Sequence, residues 1–190
     1  MSSDIVRALA PVVEAFESLG IAYRVGGSVA SSALGVPRST LDVDVVCTMQ
    51  TAHVAEFVRA LAPDYYVDAE MIAAAIAQRS SFNLIHLATM TKVDAFIARG
   101  DIYDREVFRR VTKKPLEEGT REFDLTTAED IVLRKLEWYR LGGGVSERQW
   151  GDVVGVLSVQ HGALDIAYLE RWADALDVAV LLRRALAESR

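Results

Sequence analysis

Two aspartates, Asp42 and Asp44, stand one residue apart in the apolar run 41–47, and a Gly26-Gly27-Ser28 turn closes an earlier apolar run, 21–25. Side chains alternate across a strand, so residues two apart share a face. Asp42 and Asp44 are thus expected to present two carboxylates side by side. Like charges at that spacing repel unless a cation lies between them. Carboxylate oxygens suit Mg²⁺, which completes its shell with waters and substrate phosphates. The Gly-Gly-Ser turn adds backbone N–H groups and a hydroxyl that suit phosphate. Together they point to a metal-and-phosphate site, and so to phosphoryl or nucleotidyl transfer. A third carboxylate, Asp94, lies in the strand-like run 91–97, where a buried charge is costly. It reads either as a further metal ligand or as a strand-end aspartate paired with Lys92; the upstream pattern favours the metal role.

These groups need a scaffold. Ile5, Leu9, Val12, Val13 and Phe16 recur at helical spacing over 4–18, and Gly20 stops that helix. A strand over 21–25 leads into a short helix over 28–35, which Pro37 ends. A second strand covers 41–47. An amphipathic helix over 51–61, a short strand at 65–67 and a helix over 69–77 follow. Runs 82–87 and 92–97 form a hairpin. Beyond about residue 124 the pattern turns helical: Thr127 caps one helix, Gly142-Gly143-Gly144 ends it, Ser146 with Gln149 caps the next, and Asp165 and Asp177 cap two more. The expectation is an α+β fold, with a mixed sheet and flanking helices over 1–123 and a helical lobe over 124–190.

The composition narrows the function classes. At 190 residues with 51% hydrophobic content, a substantial core is available. No apolar run of about 18 residues predicts a membrane span. One cysteine, Cys47, forms no internal disulfide, and Met1-Ser2-Ser3-Asp4 lacks a basic leader, so a cytoplasmic location is expected. Cys47 itself reads as a small buried apolar residue. A net charge of −6 argues against broad nonspecific nucleic-acid binding. The one concentrated basic cluster, Arg109-Arg110 with Lys113-Lys114, reads first as a solvated loop or helix end. Three histidines and one cysteine make zinc a poor fit.

Val25-Gly26-Gly27-Ser28 followed by Arg38-Ser39-Thr40-Leu41-Asp42-Val43-Asp44, with Asp94 on a later strand, resembles the signature of the polymerase-β-type nucleotidyltransferase superfamily. The Arg-x-Thr-x-Asp-x-Asp form is most similar to a minimal bacterial group that includes AbiEii-like toxins. Residues 128–136 and 149–153 resemble, more loosely, the lysine-bearing and aspartate-bearing helices of those toxins. The resemblance implies a nucleotidyltransferase-like fold. It implies two Mg²⁺ ions held by Asp42, Asp44 and Asp94, with an NTP as donor and its phosphates held by Gly26, Gly27 and Ser28. The reaction would move NMP to a hydroxyl on RNA (tRNA included), on protein or on a small molecule. A toxin-like role would bring an antitoxin partner. The alternative is a catalytically silent nucleotide-binding or regulatory module of the same fold.

Outside the signature, Arg38 reads as a cation that steers a triphosphate or as an ordinary surface charge. Lys135 reads as a nucleotide contact or as a snorkelling lysine. Asp152 is expected to pair with Lys135 or Arg134, His86 to be a satisfied, half-buried imidazole, and Trp138 and Tyr139 to pack in the core.

Overall fold

A computed structural model describes residues 3–189; Met1, Ser2 and Arg190 lie outside the described residues. The chain divides into two compact units: residues up to Val29 with Ser39–Leu125, and Ala30–Arg38 with the chain from Thr126 onward.

The first unit is built on a seven-stranded mixed sheet. Its strands are β1 (Tyr23–Val25), β2 (Asp42–Cys47), β3 (Tyr65–Tyr66), β4 (Ser81–His86), β5 (Thr91–Ile97), β6 (Thr112–Pro115) and β7 (Glu122–Leu125), in the spatial order β3-β4-β5-β2-β1-β7-β6. Strands β2 and β5 run parallel, as do β1 and β7; the remaining neighbours are antiparallel. Alternation decides which face is core. Val43, Val45 and Cys47 of β2 and Val93, Ala95 and Ile97 of β5 are buried. Helix α1 (Ser3–Ser18) packs on these strands, with α3 (Val54–Leu61) beside it. Phe16 stacks on Phe57 at 5.1 Å between ring centroids, and Phe57 meets Phe82 edge-on at 6.3 Å. Helix α1 ends where its sequence says it must. Gly20 takes φ +68°, and the Ile21 N–H reaches back to the Phe16 carbonyl at 2.8 Å in a Schellman closure.

Helix α2 (Gly27–Leu34) starts in the first unit and ends in the second. Helix α4 (Ala69–Gln78) is capped by the Asp68 carboxylate, and the hairpin of β4 and β5 closes through Met90 at φ +55°. Helix α5 (Ile102–Arg109) and strands β6 and β7 are elements that the sequence pattern does not predict. Strand β6 is Thr-Lys-Lys-Pro, a polar sheet edge with lysines and a proline, which is how edges are kept from pairing further and which leaves no apolar alternation to read. Lys113 pairs with Asp124 on β7 at 3.3 Å.

The second unit holds α6 (Ala128–Leu141), α7 (Glu147–Val159), α8 (Ile166–Ala175) and α9 (Ala179–Glu188). Side chains of Thr127, Ser146 and Asp165 accept from the third N–H beyond them, capping α6, α7 and α8 as their spacing predicts. Asp177 does not cap α9. It adopts φ +57°, and the Val178 N–H bonds the Ala173 carbonyl at 2.8 Å, so Asp177 closes α8 in the left-handed position that asparagine and aspartate tolerate; the residue capping α9 is Val178. Trp138 is also unlike its expectation. Adjacent residues on a helix point about 100° apart, so Tyr139 is buried while Trp138 is 51% exposed. Among the described residues no helix is long and apolar enough to cross a membrane.

Candidate active site

The three aspartates belong to neighbouring strands of the first unit. On β2, Asp42 and Asp44 alternate with buried valines, so both project from the face opposite the core. Parallel pairing sets Asp44 opposite Asp94 and Asp42 opposite Lys92. Neighbouring strands lie about 4.8 Å apart, so the carboxylates of Asp44 and Asp94 rise from adjacent points on one face. Antiparallel pairing sets Asn83 of β4 against Asp94, which adds an amide to the same row.

The glycine turn meets this row. The Gly26 N–H donates to the Asp44 carbonyl at 2.9 Å, extending the β1–β2 ladder by one rung. That donor is committed to the ladder. Gly27 begins α2 at φ +54°. A Cβ there would overlap the Asp44 carboxylate and stand only 2.7 Å from the Asp44 Cβ. The turn therefore requires glycine twice over, once for backbone hand and once for space. Gly27→Ala is expected to destabilise the first unit by about 1–3 kcal/mol, read as a fall in the urea midpoint at constant m-value.

Lys92 completes the row. Its ammonium lies 2.8 Å from Asp94 Oδ2 and 3.8 Å from Asp42 Oδ1. The hydrogen bond to Asp94, with the field of the aspartates, holds the lysine above its ordinary pKa. Among the described residues, no three His, Cys, Asp or Glu side chains are drawn together closely enough to hold a metal ion as they stand. The donor set nonetheless fits Mg²⁺ in kind: hard carboxylate oxygens on one face and in register. Gathering them on an ion takes side-chain rotation at positions that are exposed or half-buried.

Arg38 and Lys135 belong to the second unit and meet on Asp152. Arg38 binds both carboxylate oxygens, at 2.7 and 2.9 Å, and Lys135 Nζ binds Oδ2 at 2.8 Å. Asp152 and Lys135 are nearly buried, with 7% and 10% of their side chains exposed. Asp152 thus takes Lys135, as its position in the sequence suggested; Arg134 turns instead to Glu137 at 2.8 Å. Burial alone would push the Asp152 carboxyl up, but the hydrogen bonds from Arg38 and Lys135 outweigh it and hold the pKa below the ordinary value. The stability this lends is whole above the unfolded aspartate value near about 3.9 and is lost as the pH falls through the lowered folded value. The gap in Tm between the wild type and Asp152→Asn is expected to stay constant from about pH 7 to 5 and to narrow below about pH 4.

Other candidates lie off this face. His86 points to the core side of β4, shares a 2.8 Å hydrogen bond between Nδ1 and Thr89 Oγ1, and packs on Tyr65. Cys47 is fully buried, and burial pushes its thiol up to about 12, which removes it as a nucleophile. A buried ion pair that sequence reasoning missed stands behind the turn. Arg24 of β1, two residues before Gly26, binds Asp104 of α5 at 2.9 Å, with side chains 5% and 3% exposed. Asp104 also accepts the Gly100 N–H at 3.1 Å, and the guanidinium lies 5.1 Å from the Phe108 ring centroid.

Comparison with known proteins places the fold. No family model matches the sequence, and no curated protein matches it. Among solved structures, the chain is similar to an antigenic nucleotidyltransferase-like protein from Paracoccidioides brasiliensis, with TM-score 0.56 and 17% identity over 99% of this chain and 94% of that one. It is similar too to the antibiotic-resistance factor ANT(2'')-Ia, with TM-score 0.57 and 13% identity over 97% and 98%. The fold is nucleotidyltransferase-like, an α/β arrangement around a seven-stranded mixed sheet.

Proposed function

We propose that the chain is a Mg²⁺-dependent nucleotidyltransferase that moves NMP from an NTP to a hydroxyl acceptor. The observation that carries this reading is the register: Asp42 and Asp44 on one face of β2, Asp94 opposite Asp44 on β5, and the Asp44 carboxylate lying over Gly27 at the start of α2. Asp42, Asp44 and Asp94 would hold the metal. When bound, Mg²⁺ supplies charge neutralisation for an in-line displacement at the α-phosphate, with pyrophosphate leaving. The N–H groups of Gly27 and Ser28, at the start of α2, orient the β- and γ-phosphates. Asp94, on the strand next to the Asp42/Asp44 pair, takes up the proton of the attacking hydroxyl at a carboxylate oxygen. Arg38 and Lys135 bind Asp152 within the second unit.

The fold fixes no acceptor. The sequence signature supports the AbiEii-like group, and with it a toxin-like protein acting in the cytoplasm on tRNA or protein and restrained by an antitoxin. Incubating the protein with each α-labelled NTP, Mg²⁺ and a panel of tRNA, cell extract and small hydroxyl compounds tests the chemistry. Label on an acceptor, released pyrophosphate and loss of both in Asp44→Ala support it. Tight binding of a non-hydrolysable NTP with no turnover on any acceptor identifies a silent module instead. Growth arrest on expression, relieved by Asp44→Ala, tests the toxin role.

A further inference from the structure

Lys92 bridges two of the three carboxylates read as metal ligands. It stands directly opposite Asp42 in the β2–β5 register and two residues before Asp94 on its own strand, so all three side chains rise from one face. Its ammonium reaches both carboxylates, at 3.8 and 2.8 Å, while the lysine side chain stays 41% exposed. We infer that Lys92 is a resident counter-ion: it holds Asp42 and Asp94 in the metal-free protein and yields them when a divalent cation enters, so that it sets the metal affinity of the site. This rests on the reading of Asp42, Asp44 and Asp94 as metal ligands.

The argument is one of competition. Close carboxylates repel and need a cation. A divalent ion would sit about 2.0–2.1 Å from the oxygens it binds, and an ammonium on those oxygens repels it at short range. Lys92 and the metal are therefore alternatives. The exposed, flexible stem lets the lysine withdraw into solvent without disturbing β5. Removing the charge while keeping the stem has opposite effects on the two states. The metal-free protein loses the cation that balances its aspartates; the metal-bound protein loses a repelling neighbour. A lysine with a purely structural role would show only the first effect.

The test is Mn²⁺ binding to the full chain without nucleotide, followed by titration calorimetry and by the paramagnetic signal of free Mn²⁺, with Tm measured in chelator. Lys92→Met is expected to bind Mn²⁺ about three- to tenfold more tightly than the wild type and to melt at a lower temperature in chelator. Lys92→Arg is expected to stay near the wild type in both. Adding Asp44→Asn to Lys92→Met is expected to abolish the gained binding. Equal Mn²⁺ affinity in the wild type and Lys92→Met, with binding still dependent on Asp44, overturns the counter-ion role and leaves the metal site standing. Absence of Mn²⁺ binding in every variant overturns the metal reading, and the counter-ion role with it.

Discussion

Replacing Asp44 with alanine is expected to lower NMP transfer by about a thousandfold or more, since a metal contribution of several kcal/mol to the transition state is lost. The fold is expected to survive. Asp44 is half-buried on the open face of β2, and its core-side neighbours Val43 and Val45 are untouched. Its carboxylate lies over Gly27, so the substitution empties space at the start of α2 rather than filling it. The discriminating measurement is single-turnover transfer beside far-UV circular dichroism. A large drop in rate with an unchanged spectrum supports a ligand role. Asp44→Asn separates charge from shape: it keeps the size and one oxygen of the side chain, and the rate is expected to stay within about tenfold of the alanine variant.

The largest expected effect on stability belongs to a residue that touches no substrate. Asp104→Ala leaves the Arg24 guanidinium in the core without the carboxylate it binds at 2.9 Å. Breaking a buried pair by removing one partner costs about 3–5 kcal/mol, which for a chain of this length lowers Tm by about 6–20 °C. Replacing both, as Arg24→Met with Asp104→Leu, is expected to recover most of that loss, because neither member of the pair is then left as an unpaired buried charge. The pair also bears on the site. Arg24 precedes the glycine turn on β1, and Asp104 ties down the segment that follows β5 through the Gly100 N–H. Urea denaturation of the single and double variants decides it; a double variant no more stable than Asp104→Ala would mean that the loss comes from packing.

What the sequence disclosed and what it concealed follow from the range of the interactions. Strand β2 and the β4–β5 hairpin were legible because burial alternates cleanly along them. The caps at Thr127, Ser146 and Asp165 were legible because each bonds an N–H three residues away. Asp177 offered the same residue type before a helix, but it had already been taken to close the preceding one, and sequence type alone does not separate those uses. Helix α5 and strand β7 span only eight and four residues, too few for their periodicity to stand out, and β6 has no apolar alternation. The long-range pairs were beyond local pattern altogether: Arg24 with Asp104 is separated by 80 positions and Arg38 with Asp152 by 114. In the candidate site, the adjacency of Asp42 and Asp44 on one strand face followed from spacing, and Asp94 and the glycine turn prove to be their neighbours in the sheet. Asn83 does not follow from spacing, because its place opposite Asp94 exists only once β4 and β5 pair. Lys92 was visible as a neighbour of Asp94, whereas its reach to Asp42 depends on the parallel register.

The central claim is that Asp42, Asp44 and Asp94 close on a metal-bound triphosphate. It is tested most directly by a structure of the chain with a non-hydrolysable NTP and Mg²⁺. The account predicts carboxylate oxygens of all three aspartates about 2.0–2.1 Å from Mg²⁺, with the triphosphate against the N–H groups of Gly27 and Ser28 and the Lys92 ammonium withdrawn from Asp94. A triphosphate and metal bound away from these strands, with Asp94 still paired to Lys92, would contradict it.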